Sequence, residues 1–178
     1  MRSGTTWIQQ GPKLVGAGAI RAASQGVSVA ISGGAGDIVI LWRNTTTGDV
    51  AIWFVNGTTV TLAAMVANVP TTWTIAATGD FDGNGKADLA WRDTSGNTAV
   101  WLMNGAAVTA SAGFGIIAGG WTISETGDFN GDGKSDVLWR NTSTGDTAIW
   151  FMNGTTVASS AAVANVPTTW TIQNVNAN

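Results

Sequence analysis

Two short stretches concentrate the acidic side chains of a chain that has few of them. Asp80, Asp82, Asn84 and Asp88 fall at positions 1, 3, 5 and 9 of "DFDGNGKAD", and Asp128, Asn130, Asp132 and Asp136 fall at the same positions of "DFNGDGKSD". Position 7 is Lys86 or Lys134, whose main-chain carbonyl would face inward while its ammonium points to water. Alternating oxygen donors on a tight loop, with Gly83, Gly85, Gly131 and Gly133 letting it curl, suit a hard cation that takes about six to eight oxygens. Three carboxylates held this close would repel one another without a cation between them. The chain has no His and no Cys, so nothing favours zinc or copper. Calcium fits better than magnesium, because the loops offer many protein ligands, and two ions per chain are expected. Taken as bare polar turns, the loops would owe their aspartates to turn propensity alone. The recurrence of one 1-3-5-9 pattern argues against that.

The elements that must position these residues also repeat. "LWRNTTTGDVAIWFVNGTTV" from Leu41 returns as "AWRDTSGNTAVWLMNGAAV" from Ala90 and as "LWRNTSTGDTAIWFMNGTTV" from Leu138. Nine of the ten tryptophans occupy repeat positions: Trp42, Trp91 and Trp139; Trp53, Trp101 and Trp150; Trp73, Trp121 and Trp170. Only Trp7 stands outside this pattern. Within a unit every signal is β. "WTIAATG" is a short β-branched and aromatic run ending at glycine, "ADLAWRD" a second strand, "TAVWLMN" a third, and the stretch from Ala106 to about Gly115 a fourth. Asn56-Gly57, Asn104-Gly105 and Asn153-Gly154 read as hairpin turns with positive φ at both turn positions.

Four antiparallel strands in a unit of about 48 residues are the signature of a β-propeller blade, so the expected fold class is all-β with about three blades plus partial strands. Both faces of the strands read apolar, as sandwiched blades require. The expected organisation is an N-terminal stretch of extra strands at 1–26, a blade with a degenerate loop at 27–72, calcium-loop blades at 73–120 and 121–169, and a lone first strand at 170–178.

"GDFDGNGKADLAWRD" and "GDFNGDGKSDVLWRN" resemble the FG-GAP or VCBS repeat of integrin α-subunit propellers and of many secreted bacterial and fungal proteins. The resemblance runs from about Val27 to Ile172. It implies a propeller whose blades carry calcium in the first inter-strand loop. The family's ligands map onto Asp80, Asp82, Asn84, Lys86 and Asp88, and onto Asp128, Asn130, Asp132, Lys134 and Asp136. The first unit, "VSVAISGGAGDIVILWRN", departs from the pattern: the alternating acids are gone, the loop is shorter, and only Asp37 remains near the last ligand position. No metal is expected there.

Other classes find little support. A net charge of −3 with a pI near 4.5 offers no basic face for nucleic acid. No run is long and apolar enough for a membrane span. Lys13–Ser24 echoes a signal-peptide core only faintly, yet the resemblance implies a secreted or cell-surface protein. Catalysis is not expected: His, Cys and Tyr are absent, Glu125 is the only Glu, and a Ser or Thr nucleophile would have no base. A glycan ligand is the leading expectation, because tryptophans stack on sugar rings and related propellers include lectins. A structural or adhesive scaffold with a protein partner is the alternative. Since three units cannot close a ring of roughly four to eight blades, a homo-oligomer, most simply a twofold dimer, is expected.

Overall fold

In a computed structural model, residues 31–33, 37–117 and 119–173 are described. They form three four-stranded antiparallel sheets and no helix. Sheet 1 contains β1 (Ile31–Gly33), β2 (Asp37–Arg43), β3 (Asp49–Asn56) and β4 (Thr59–Asn68). Sheet 2 contains β5 (Trp73–Gly79), β6 (Asp88–Asp93), β7 (Asn97–Asn104) and β8 (Ala107–Ile116). Sheet 3 contains β9 (Trp121–Gly127), β10 (Asp136–Asn141), β11 (Asp146–Asn153) and β12 (Thr156–Asn165). In each sheet the strands pair in chain order. The stretch 1–26, with Trp7 and Lys13–Ser24, lies outside the described residues. So does 174–178, and residues 170–173 join no ladder.

The sheets stack through alternating faces, as the period of a strand dictates. Leu41, Val50 and Ile52 of sheet 1 meet Leu89, Trp91 and Met103 of sheet 2. Ala90, Val100 and Leu102, on the opposite face of sheet 2, meet Val137, Trp139 and Met152 of sheet 3. Sheet 2 is therefore covered on both sides, which explains why its strands read apolar throughout.

Tryptophans and arginines join sheet to sheet. Each sheet carries a tilted indole pair across its second and third strands: Trp42 with Trp53 at 4.7 Å, Trp91 with Trp101 at 5.0 Å, and Trp139 with Trp150 at 4.9 Å between centroids. The arginine after each second-strand tryptophan lies on the other face, and those of sheets 1 and 2 reach the next sheet. Arg43 lies over Trp91 at 5.6 Å and Arg92 over Trp139 at 5.4 Å. Arg43 also donates to the carbonyls of Val69 at 2.8 Å, Pro70 at 2.9 Å and Trp73 at 3.2 Å, fixing the connection into sheet 2.

Two local readings change. Asn56, Asn104 and Asn153 are the last residues of their strands, so Gly57, Gly105 and Gly154 open the two-residue loops. Within each of these loops only the glycine has positive φ, at 60°, 65° and 60°. One positive φ at the first loop position is the pattern of a II′ turn, not of the I′ turn that Asn-Gly suggests. The second concerns the first unit. Pairing Trp42 with Ala51 matches pairing Trp91 with Ala99, which sets Val39 in register with Asp88. The last ligand position there is held by an apolar residue, and Asp37 lies two residues before it.

Gly48 and Gly145 occupy turns that no side chain tolerates. Both have φ of 84°, and a Cβ would fall 2.2 Å from the carbonyl oxygen of Val69 or Val166. Gly145→Ala is expected to cost about 2 kcal/mol, combining left-handed strain with displacement of the 166–167 backbone. Chemical denaturation of the variant beside the wild type measures it.

Candidate metal centre

The segment between β5 and β6 has eight residues, 80–87, as does 128–135 between β9 and β10. Between β1 and β2 there are only three, 34–36. The two long loops are built alike by their own aspartates. Asp80 Oδ1 accepts from the amides of Gly83 at 2.8 Å and Asn84 at 3.0 Å, and its Oδ2 accepts from Gly85 at 2.7 Å. Asp128 does the same toward Gly131 at 2.7 Å, Asp132 at 3.1 Å and Gly133 at 2.8 Å. Those bonds curl the backbone into a cup. Gly85 and Gly133 sit in it at φ 78° and 84°; nothing lies within 4 Å of a would-be Cβ, so conformation and not space requires glycine.

Position 9 is the anchor. Asp88 and Asp136 open β6 and β10 and are fully buried. Asp88 accepts from the amides of Phe81 at 2.9 Å and Met103 at 2.7 Å, tying the loop to the third strand of its sheet. Asp136 accepts from Phe129 at 3.0 Å and Met152 at 2.9 Å. Burial pushes the Asp88 carboxyl up to about 6; the Met103 and Phe81 amides oppose this, while Asp82 and Asp80 add to it. Burial raises Asp136 in the same way, whereas the Gly133 amide leads a set of backbone donors that hold Asp128 below the usual carboxylate range.

In the first loop, carboxylate oxygens of Asp80, Asp82 and Asp88 lie within 4.8 Å of one another. Asn84 is drawn to the same point: its amide nitrogen donates to Asp82 Oδ2 at 3.0 Å, while its Oδ1 accepts from the Lys86 amide at 2.8 Å. The Lys86 ammonium turns away to Asn104 Oδ1 at 2.7 Å. The second loop has Asn130 at position 3, so its acids stand at positions 1, 5 and 9. There Asp132 Oδ1 accepts from the Lys134 amide at 2.9 Å, and the Lys134 ammonium lies 3.7 Å from Asp132 Oδ2. Among the described residues only the first loop gathers three acids this closely. An all-oxygen cluster with a buried carboxylate and two neighbouring acids suits a hard divalent cation.

The loops also bridge the sheets. Ser135 N donates to Asp80 O at 2.6 Å, Ser135 Oγ accepts from Asp80 N at 3.0 Å, and Gly154 N donates to Phe81 O at 2.8 Å. Phe81, between the first two acids, is fully buried in the core shared by sheets 2 and 3. Phe81 is absent from the residues that the sequence pattern singles out; the repeated "DF" of the two loops is its signal.

A scan against family models finds one match that bears on these loops: residues 80–139, under the description FG-GAP-like repeat. This segment is similar to an FG-GAP-like repeat. It begins at Asp80 and takes in both acidic loops. No curated protein and no solved structure matches the chain. Three acids outside the loops have visible duties. Asp49 is bonded to Thr47 and to Asn68 at 2.8 Å, Asp146 to Thr144 and to Asn165 at 2.7 Å, and Asp93 to Asn97 at 2.7 Å.

Proposed function

We propose that this chain is a calcium-stabilised, non-catalytic binding module of the β-propeller type, in which each loop of the FG-GAP-like segment holds one ion. The convergence of Asp80, Asp82 and Asp88 carries the reading. Asn84 and the Lys86 carbonyl complete the first set; Asp128, Asn130, Asp132, Asp136 and the Lys134 carbonyl supply the second. The ion's work is mechanical. It neutralises acids that would otherwise repel, and so fixes a loop whose backbone bonds adjacent sheets at Asp80, Phe81 and Ser135. An ion that binds only the folded loop stabilises by about 2.7 kcal/mol at a hundredfold excess over its dissociation constant. Millimolar calcium outside the cell would keep weak sites of this kind filled, in line with a secreted or surface protein.

The tryptophans favour a scaffold or adhesive role over a sugar site on every repeat. Trp91 and Trp139 are buried between sheets, and their partners Trp101 and Trp150 are half-buried against them. One feature supports carbohydrate binding: a cleft of about 250 Å³ beside exposed Trp170, lined by Thr122, Ser124, Thr142, Thr168 and Thr171 together with Arg140. A glycan array probed with and without chelator separates the two. Saturable binding lost in Trp170→Ala establishes the carbohydrate reading, and a blank array leaves the adhesive one.

A further inference from the structure

We propose that the outer face of sheet 3 docks, head to tail, onto the outer face of sheet 1 in a second copy of this chain. The chain displays one half-interface three times. The residue at the bulge of each fourth strand is Val66, Phe114 or Val163. Val66 packs into the core between sheets 1 and 2 and Phe114 into that between sheets 2 and 3, but Val163 is 57% exposed. The same holds for the next segment: Trp73 and Trp121 pack inward, while Trp170 is 69% exposed. Ile75 and Ile123 are likewise covered, and Ile172 is 36% exposed. Phe81 is fully buried where its counterpart Phe129 is only partly covered.

The backbone beneath this surface is already set. Arg140 donates to the carbonyls of Val166 at 2.7 Å, Pro167 at 3.1 Å and Trp170 at 3.4 Å, as Arg43 does to Val69, Pro70 and Trp73. Among the described residues no indole lies over Arg140, whereas Arg43 and Arg92 each have one.

The complementary half belongs to sheet 1. On sheets 2 and 3, the side facing the preceding sheet presents the indole pair that receives the arginine. Sheet 1 presents the same pair, Trp42 and Trp53, on that side. Their indole nitrogens are buried without a hydrogen-bond partner, as are those of Trp91 and Trp139 in the two covered interfaces. Met65, cross-strand from Ala51 and through it from Trp42, shares this side and is 48% exposed. One end of the stack thus offers a guanidinium and apolar side chains, and the other the indoles that such a surface covers twice within the chain. The pairing is heterologous, so two copies satisfy both ends of each only by closing into a ring.

Sedimentation velocity on the full chain in calcium, over a concentration series, tests this with Val163→Glu and Met65→Glu. Both residues are exposed and circular dichroism verifies the fold; Ile172→Glu replaces the first if it misfolds, and Trp53→Ala the second. The wild type is expected to form a species of twice the 18.2 kDa chain mass. Each variant alone is expected to stay a monomer at concentrations where the wild type pairs. An equimolar mixture regains association, because one copy still has an intact sheet 3 face and the other an intact sheet 1 face. A wild type that stays monomeric throughout overturns the proposal. So does a mixture that fails to associate, or a Met65→Glu chain that still dimerises through two like faces.

Discussion

Asp88→Ala is expected to destabilise the protein by about 2–6 kcal/mol in saturating calcium and to abolish the first cation site. The carboxylate is fully buried and accepts the amides of Phe81 and Met103. Alanine leaves both donors buried without a partner, and each orphaned group costs about 1–3 kcal/mol. The damage spreads, because the Phe81 ring lies in the core between sheets 2 and 3 and its carbonyl accepts Gly154 N. In chelator the loss is expected to be smaller, since the wild type then carries an uncompensated buried charge. Asp88→Asn separates the roles: it keeps an acceptor for one amide while removing the charge that a cation needs. Denaturant melts of the three proteins, each with calcium and with chelator, supply the comparison.

The second large effect is a pH dependence that calcium cancels. The Asp88 pKa is raised from 3.8 to about 6 in the folded protein. The associated stability is therefore fully present below about pH 4 and is lost as pH rises through 6. The shift corresponds to about 3 kcal/mol. Asp136 moves in the same direction. Asp49, Asp93, Asp128 and Asp146 are shifted downward, so their contributions fade only as pH falls below the normal carboxylate range. In chelator, stability is expected to decline between pH 4.5 and 7. In saturating calcium the decline is offset, because the ion binds the ionised form. Melts across this range in both conditions decide it, and a decline that persists unchanged in calcium would place the cation away from Asp88.

How much of this was legible in the chain depends on the distance over which each feature is determined. Strand positions were, because "WTI", "LWR" and "AIWF" carry β propensity locally and a repeat enforces one answer three times. The cup of each loop was too, since Asp80 and Asp128 bond amides three to five residues downstream. The turn type differs from the Asn-Gly expectation because that dipeptide has two registers, and pairing of Asn56 with Thr59 selects the one that leaves Asn in the strand. The place of Val39 was hidden for a related reason: the three-residue connection removes the count that identifies the ninth position, and only the ladder to β3 restores it. The meeting of Arg43 with Trp91 joins residues of different sheets. Strand alternation put Trp42 and Arg43 on opposite faces correctly, but stacking alone reveals that one sheet's arginine covers the next sheet's indole.

Calorimetric titration of calcium into chelator-stripped protein counts the ions that the two acidic loops hold. The expected result is two ions per chain, reduced to one in Asp88→Asn and to one in Asp136→Asn, with Asp37→Ala indistinguishable from the wild type. A stoichiometry near zero, or two ions still bound when Asp88 and Asp136 are both replaced, would contradict the account.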